Sequence, residues 1–129
     1  MTSDRKTITS DKAPKAIGPY SVAIRTGNLV FTSGQLGLDP TSGNLVTGGI
    51  EMETHQVLIN LQSVLTEAGS GLDQVVKTTV FMKDLNDFTK MNTVYAGFFP
   101  NQPPARSTVQ VAALPKGGLI EIEVVAILK

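Results

Sequence analysis

Val57, Leu58, Leu61, Val64, Leu65 and Ala68 fall at i, i+1, i+4, i+7, i+8 and i+11, one face of a 3.6-residue period. Gly69 and Gly71 then supply the stop. Around this helix the period changes from 3.6 to 2. Val75–Met82 is β-branched, and residues 21–26 and 29–33 flank a Gly27-Asn28 turn as a β-hairpin. Residues 107–114 and 119–128 read as two more strands, joined by Pro115-Lys116-Gly117-Gly118. A second helix starts from a cap at Asp84 or Asn86, carries Phe88, Met91, Tyr95, Phe98 and Phe99 on one face, and is closed by Pro100, Pro103 and Pro104. Residues 7–10 read as a short edge strand, 11–20 as a loop fixed by two prolines and a glycine, and 34–49 as mostly loop. The order β-β-β-α-β-α-β-β fits two helices on one face of a mixed sheet, a two-layer α+β sandwich. At 129 residues the chain makes one domain, 1–129.

The second face of that sheet carries information too. In the last strand Ile120, Ile122, Val124 and Ala126 alternate with Glu121, Glu123, Val125 and Ile127. In Val75–Met82 both alternating sets contain apolar residues, Val75 and Phe81 against Val76, Val80 and Met82. A two-layer monomer leaves one of these faces wet, so the pattern points to burial of the second face by another subunit. The plainer alternative is a few exposed β-branched residues.

Composition removes several function classes. Lys plus Arg and Asp plus Glu are both 11, so there is no basic excess for a nucleic-acid or membrane surface. Cysteine is absent, which excludes disulfides, thiolate catalysis and Cys-based metal sites, and the single histidine, His55, excludes a multi-His metal site. No P-loop, dinucleotide fingerprint, HExxH or G-x-S-x-G pattern occurs; Gly34 and Gly37 are an isolated pair. Residues 1–14 lack an apolar signal core and an Arg-rich amphipathic pattern, and no run approaches ~18 apolar residues. The expected compartment is the cytoplasm, with a mitochondrial role left open.

The remaining candidates for chemistry are few. Pro103 and Pro104 stiffen the entry to a strand, and Arg106 sits at or near its first residue, between the small residues Ala105 and Ser107. A guanidinium so held suits paired capture of a carboxylate or phosphate; the alternative is a salt bridge within the chain to Glu121 or Glu123. Glu121 and Glu123 share a strand face, where neighbouring carboxylates raise each other's pKa and serve as acid or base; the alternative is polar decoration. Gly34, after Ser33, lets a small ligand approach the backbone, or simply ends a strand. Tyr20 caps a cleft or packs, and Asn92 donates to a ligand or fills a polar gap. His55 shares a face with Glu51 and Gln62 and reads as a solvated helix histidine rather than a general base.

Together these segments resemble the RidA branch of the Rid family, the reactive intermediate deaminases. The likeness runs from end to end: Ala16-Ile-Gly-Pro-Tyr20, Val30-Phe-Thr-Ser-Gly-Gln35, Asp39-Pro-Thr-Ser-Gly43, Asn60-Leu61 with Ala68-Gly69, Asp84-Leu-Asn-Asp-Phe88, Asn92 with Tyr95, Pro104-Ala-Arg-Ser107, Ala113-Leu-Pro-Lys116 and Ile120-Glu-Ile-Glu123. The resemblance implies a chorismate-mutase-like fold, a homotrimer whose sheets pack as a central barrel, and three sites in the clefts between subunits. It implies hydrolysis of 2-iminobutanoate and 2-iminopropanoate to 2-oxo acids and ammonia, which protects pyridoxal-phosphate enzymes, with neither metal nor organic cofactor. By position, Arg106 grips the substrate carboxylate and Glu121 positions the hydrolytic water. Tyr20, Ser33, Gly34 and Asn92 line the cleft. Thr108 stands where many members have Cys, and the contact there is largely through the backbone. Two other readings stand beside this one: an endoribonuclease that inhibits translation, and a non-catalytic trimer that binds small acids.

Overall fold

Gly27, at a φ of 56°, and Asn28 turn the chain between strands β2 (Ala23–Thr26) and β3 (Leu29–Thr32), which pair with Thr26 opposite Leu29. The structure, a computed structural model, describes residues 4–129. Met1, Thr2 and Ser3, the start of the segment read above for targeting signals, lie outside it. The other strands are β1 (Lys6–Ile8), β4 (Gln35–Leu36), β5 (Val75–Met82), β6 (Ala105–Gln110) and β7 (Ile120–Ile127). They form one sheet in the order β1-β2-β3-β7-β5-β6, with β4 pairing farther along β7. Only β5 and β6 pair in parallel; the remaining pairs are antiparallel, so the sheet is mixed.

Two helices make the crossovers that parallel strands require. Helix α1 (Gly49–Glu67) leads from β4 past β7 to β5, and α2 (Phe88–Phe98) leads from β5 to β6. Both crossovers step across the sheet in the same direction, so right-handed connections put both helices on one face. There α1 and α2 touch each other, and α1 touches β7. The stripe read from the sequence is the core: Val57, Leu58, Leu61, Val64, Leu65 and Ala68 are fully buried against Val80, Met82, Ile120 and Ile122. Each large aliphatic side chain so buried contributes about 1.5–3 kcal/mol.

The alternation in β7 holds as read. Ile120, Ile122, Val124 and Ala126 are buried, and Glu121, Glu123, Val125 and Ile127 occupy the other face. In β5 the simple alternation misplaces Val75. Val75 pairs with Ala126 and Lys77 with Val125, so Val76 is an extra residue in a bulge. Val75 therefore joins Thr78, Val80 and Met82 in the buried set, and Val76 is exposed. Phe81 faces outward, and with Phe31 and Val109, both more than 40% exposed, it keeps the outer face apolar.

Several boundaries differ from the sequence reading; β1 is Lys6–Ile8 rather than 7–10, and β6 starts at Ala105 rather than 107. Asp84 caps a 3-10 turn (Leu85–Asp87) through Asn86 N–H rather than α2, which begins at Phe88. Strand β6 stops at Gln110 instead of 114, because its partner β5 ends at Met82. The stretch 34–49 contains β4 and a bridge between Leu38 and Leu45.

Candidate active site

Arg106 is the second residue of β6 and pairs with Thr78 on β5. Paired residues share a face, so its side chain lies on the helix side of the sheet. There the guanidinium carbon sits 4.8 Å from the centre of the Tyr95 ring and 5.4 Å from that of Phe88, both on α2. These ring contacts, with the Tyr95 hydroxyl beside them, orient the guanidinium, whose planar fork suits paired capture of an anion. Tyr95 is itself fixed, its hydroxyl 2.8 Å from the Thr78 hydroxyl. Burial pushes the Tyr95 phenol up; the Thr78 hydrogen bond and the neighbouring Arg106 partly offset this. The guanidinium borders a cavity of about 510 Å³ lined by Asn92, Tyr95, Phe99, Pro104 and others.

Glu121 lies on β7 between Leu36 of β4 and Phe81 of β5, on the outer face. Its carboxyl rests against Gly34, where an added Cβ would stand 2.7 Å from Glu121 Cδ and 2.8 Å from Oε2. Glycine at 34 is therefore a requirement of space. Burial raises the Glu121 pKa above the ordinary glutamate value, and the Glu123 charge adds to the rise. A cavity of about 310 Å³ opens here, lined by Tyr20, Ser33, Gly34, Leu36, Pro115 and Glu121 among others. The Ser33 hydroxyl donates to the Ser21 carbonyl at 2.6 Å, and the Tyr20 hydroxyl accepts from Ile17 N–H at 3.4 Å while its ring stays exposed.

The sequence-derived residues thus fall into two groups. Tyr20, Ser33, Gly34 and Glu121 share one cavity; Asn92 and Arg106 share the other. Thr108 lines neither, and its buried hydroxyl has no hydrogen-bond partner among the described residues. Strand β5 separates Arg106 from Glu121. Their partners on it, Thr78 and Phe81, are three residues apart, an odd number that puts the two side chains on opposite faces. The backbones are also about 10 Å apart across the strands and about 10 Å along them. Glu123 pairs with Thr79, on the same outer face as Glu121. The alternative of an Arg106 salt bridge to Glu121 or Glu123 is therefore ruled out within the chain.

Other residues escaped the sequence reading. Lys15 and Pro115 line the Glu121 cavity. Asn60, fully buried, donates to the carbonyls of Leu36 and Leu38 and so ties β4 to α1. Glu53, also buried, accepts from Leu119 N–H at 2.9 Å. Their signal was available: both are polar residues on the helical stripe, at i−4 and i+3 from Val57. His55 is exposed, its ring edge-to-face with Phe98 at 5.4 Å, and it lines neither cavity. Among the described residues no cluster of His, Cys, Asp or Glu could hold a metal ion, and no helix is long and apolar enough to cross a membrane.

The chain is thus an α+β fold with an arginine set against two aromatic rings on one sheet face and a half-buried glutamate on the other, each beside a cavity. The chain belongs to the family described as endoribonuclease L-PSP, which matches residues 10–128, and within it to the RidA type. It is 50% identical over 123 residues to the 2-iminobutanoate/2-iminopropanoate deaminase of Bos taurus, covering 95% of this chain and 90% of that protein. The crystal structure of RidA from the Antarctic bacterium Psychrobacter superposes with a TM-score of 0.92 at 45% identity, covering 95% of this chain and 99% of that one. The structure of E. coli TdcF with bound serine superposes with a TM-score of 0.92 at 39% identity, covering 96% and 99%.

Proposed function

We propose that the chain is an imine deaminase that hydrolyses 2-imino acids, 2-iminobutanoate and 2-iminopropanoate, to 2-oxo acids and ammonia. The observation that carries the reading is the placement of Arg106 and Glu121 on opposite faces, which lets two copies of the chain supply both groups to one cleft. The assembly we assign is a homotrimer, its outer sheet faces joined through Phe31, Phe81 and Val109 as a central barrel, with three inter-subunit sites. The 50% identity to a deaminase of that substrate class supports the reaction, and the serine in the TdcF structure supports a small carboxylic acid as ligand.

The chemistry asks for orientation more than for activation. A protonated imine is already electrophilic. Arg106 holds the substrate carboxylate by paired charge-assisted hydrogen bonds. Glu121 accepts a hydrogen bond, and then a proton, from the water whose oxygen bonds to the imine carbon. Glu121 returns that proton to the amino nitrogen of the resulting carbinolamine; the C–N bond breaks, ammonia leaves, and the hydroxyl gives up its proton to solvent as the carbonyl forms. Tyr20, Ser33, Gly34 and Asn92 line the substrate, and the Thr108 backbone adds a contact to it. The step requires neither metal nor organic cofactor. Clearing such imines in the cytoplasm protects the pyridoxal-phosphate enzymes they would otherwise attack.

The test generates 2-iminobutanoate from threonine with threonine dehydratase and follows 2-oxobutanoate release. Acceleration by the wild type, lost in a folded and oligomeric Arg106→Ala, is the expected result. A folded wild type that gives no acceleration sinks the reading. RNA cleavage or plain acid binding would then be measured next; phosphate contacts would weaken steeply with salt.

A further inference from the structure

The strand ladder between β4 and β7 stops at Leu36 opposite Glu121. Two residues before Glu121, the Leu119 N–H is taken by a side chain, Glu53 Oε1 at 2.9 Å, while the Leu119 carbonyl accepts from Lys83 N–H at 3.0 Å. The chain reaches Leu119 through a tight turn (Pro115–Gly117) in which Lys116 adopts a φ of 59°, unfavourable for a residue with a side chain. Two tethers fasten that turn. Lys116 Nζ donates to the Gly43 carbonyl at 3.0 Å, and Glu53 holds Leu119. Glu53 is also packed from the β4 side: a Cβ on Gly37 would stand 2.9 Å from its Cα and carbonyl oxygen. One residue on α1 therefore holds the start of β7 and packs against the loop after β4; the adjoining turn, β7 and β4 carry Pro115, Glu121 and Leu36, which line one cavity.

We infer that Glu53 is a positioning residue: by holding Leu119 it sets where the Glu121 carboxyl points. The inference rests on the deaminase reading for its catalytic consequence, though not for its geometry. A buried carboxylate is a costly way to satisfy one N–H, since desolvation penalises its charge. That penalty shows in its pKa, which burial raises and the Leu119 hydrogen bond lowers. What the long acidic side chain provides is reach from the helix to the strand entry. An oxygen acceptor at the same place is what the geometry needs, and glutamine supplies one.

The experiment compares Glu53→Ala, Glu53→Leu and Glu53→Gln with the wild type; leucine fills the volume should alanine fail to fold. In the coupled assay the Ala or Leu variant is expected to lose about 10- to 100-fold in kcat, the scale of a small misplacement of reacting groups. KM, set by Arg106, should change less than about twofold, and Gln should restore kcat to within about threefold of wild type. A parallel carbon-13 NMR titration follows the Glu121 carboxyl, whose midpoint should drop toward the ordinary glutamate value in the Leu variant and stay in place in Gln. A folded Leu variant with unchanged kcat overturns the inference, as does a Gln variant as impaired as Leu. A wild type that hydrolyses no imine overturns the deaminase reading alone. The NMR titration then decides: an unmoved Glu121 midpoint in the Leu variant ends the positioning role.

Discussion

Arg106 and Glu121 are held on opposite faces of one sheet by their pairing with Thr78 and Phe81 on the strand between them. No rotamer change brings the two groups to a common ligand within one chain, because each strand is locked in register on both sides of β5. In the trimer proposed above, a ligand that touches both lies between copies.

That geometry predicts complementation. Arg106→Ala and Glu121→Gln homo-oligomers should each be inactive, and denaturing and refolding them together should restore activity. In a ring built by a head-to-tail interface, each site draws Arg106 from one subunit and Glu121 from its neighbour. Random mixing in equal amounts then makes about one site in four fully wild type. The coupled assay should therefore recover about a quarter of wild-type activity. A mixture as dead as its parents would overturn the site shared between subunits.

Gly34→Ala separates stability from catalysis. The new methyl would stand 2.7 Å from Glu121 Cδ, the far end of a flexible side chain rather than backbone. Glu121 can swing away at little cost, so the melting temperature should fall by only a few degrees, on the order of 1 kcal/mol. The swing removes the carboxyl from its place, and kcat should drop by about 100-fold. A variant that keeps wild-type kcat would show that the position of this carboxyl does not matter.

Tyr95 offers a second separation. Tyr95→Phe keeps the ring beneath Arg106 but leaves the buried Thr78 hydroxyl without its partner at 2.8 Å. It should cost about 1–3 kcal/mol of stability and leave KM near wild type. Tyr95→Leu removes the π face as well, and KM should rise by several-fold as the guanidinium loses its fixed plane, a contact worth about 0.5–2 kcal/mol. Denaturant unfolding and the coupled assay measure the two effects. Equal KM values in both variants would assign the stacking no role.

Much of the fold was legible because two periods mark it plainly. The stripe Val57, Leu58, Leu61, Val64 and Leu65 could only cover a sheet, and Ile120, Ile122, Val124 and Ala126 could only face it. The side of Val75 was hidden, since the bulge at Val76 depends on the fit to β7 and leaves no mark in the composition of β5. The site was legible as a set of residues and illegible as an arrangement. Arg106 and Glu121 stand out by chemistry. Whether they meet depends on which residues of β5 they pair with, a property of three strands far apart in sequence. Glu53 interrupts an apolar stripe and so announces itself, but the N–H it takes, 66 residues away, appears only in the fold.

Glu121 also ties rate and stability to pH in opposite directions. Burial and the Glu123 charge raise its pKa in the folded protein, so the folded form holds this proton more tightly than the unfolded chain does. Below the unfolded value both states are protonated and the contribution to stability is fully present. As pH rises through the folded value the proton leaves, and that contribution is lost. Glu121→Gln carries no such charge, so at pH 7 it should melt above the wild type, and the two curves should converge near pH 4, about the unperturbed glutamate value. Catalysis follows the other sign. In the mechanism proposed above the water-accepting form is the carboxylate, so wild-type kcat should fall on the acid side with a midpoint above the ordinary glutamate value, and Glu121→Gln should be inactive at every pH. Melting curves and kcat profiles between pH 4 and pH 8 measure both. A wild type more stable than Glu121→Gln at pH 7 would mean that the ionised carboxylate is paired in the assembled protein, with Arg106 of the neighbouring copy as the first group to substitute.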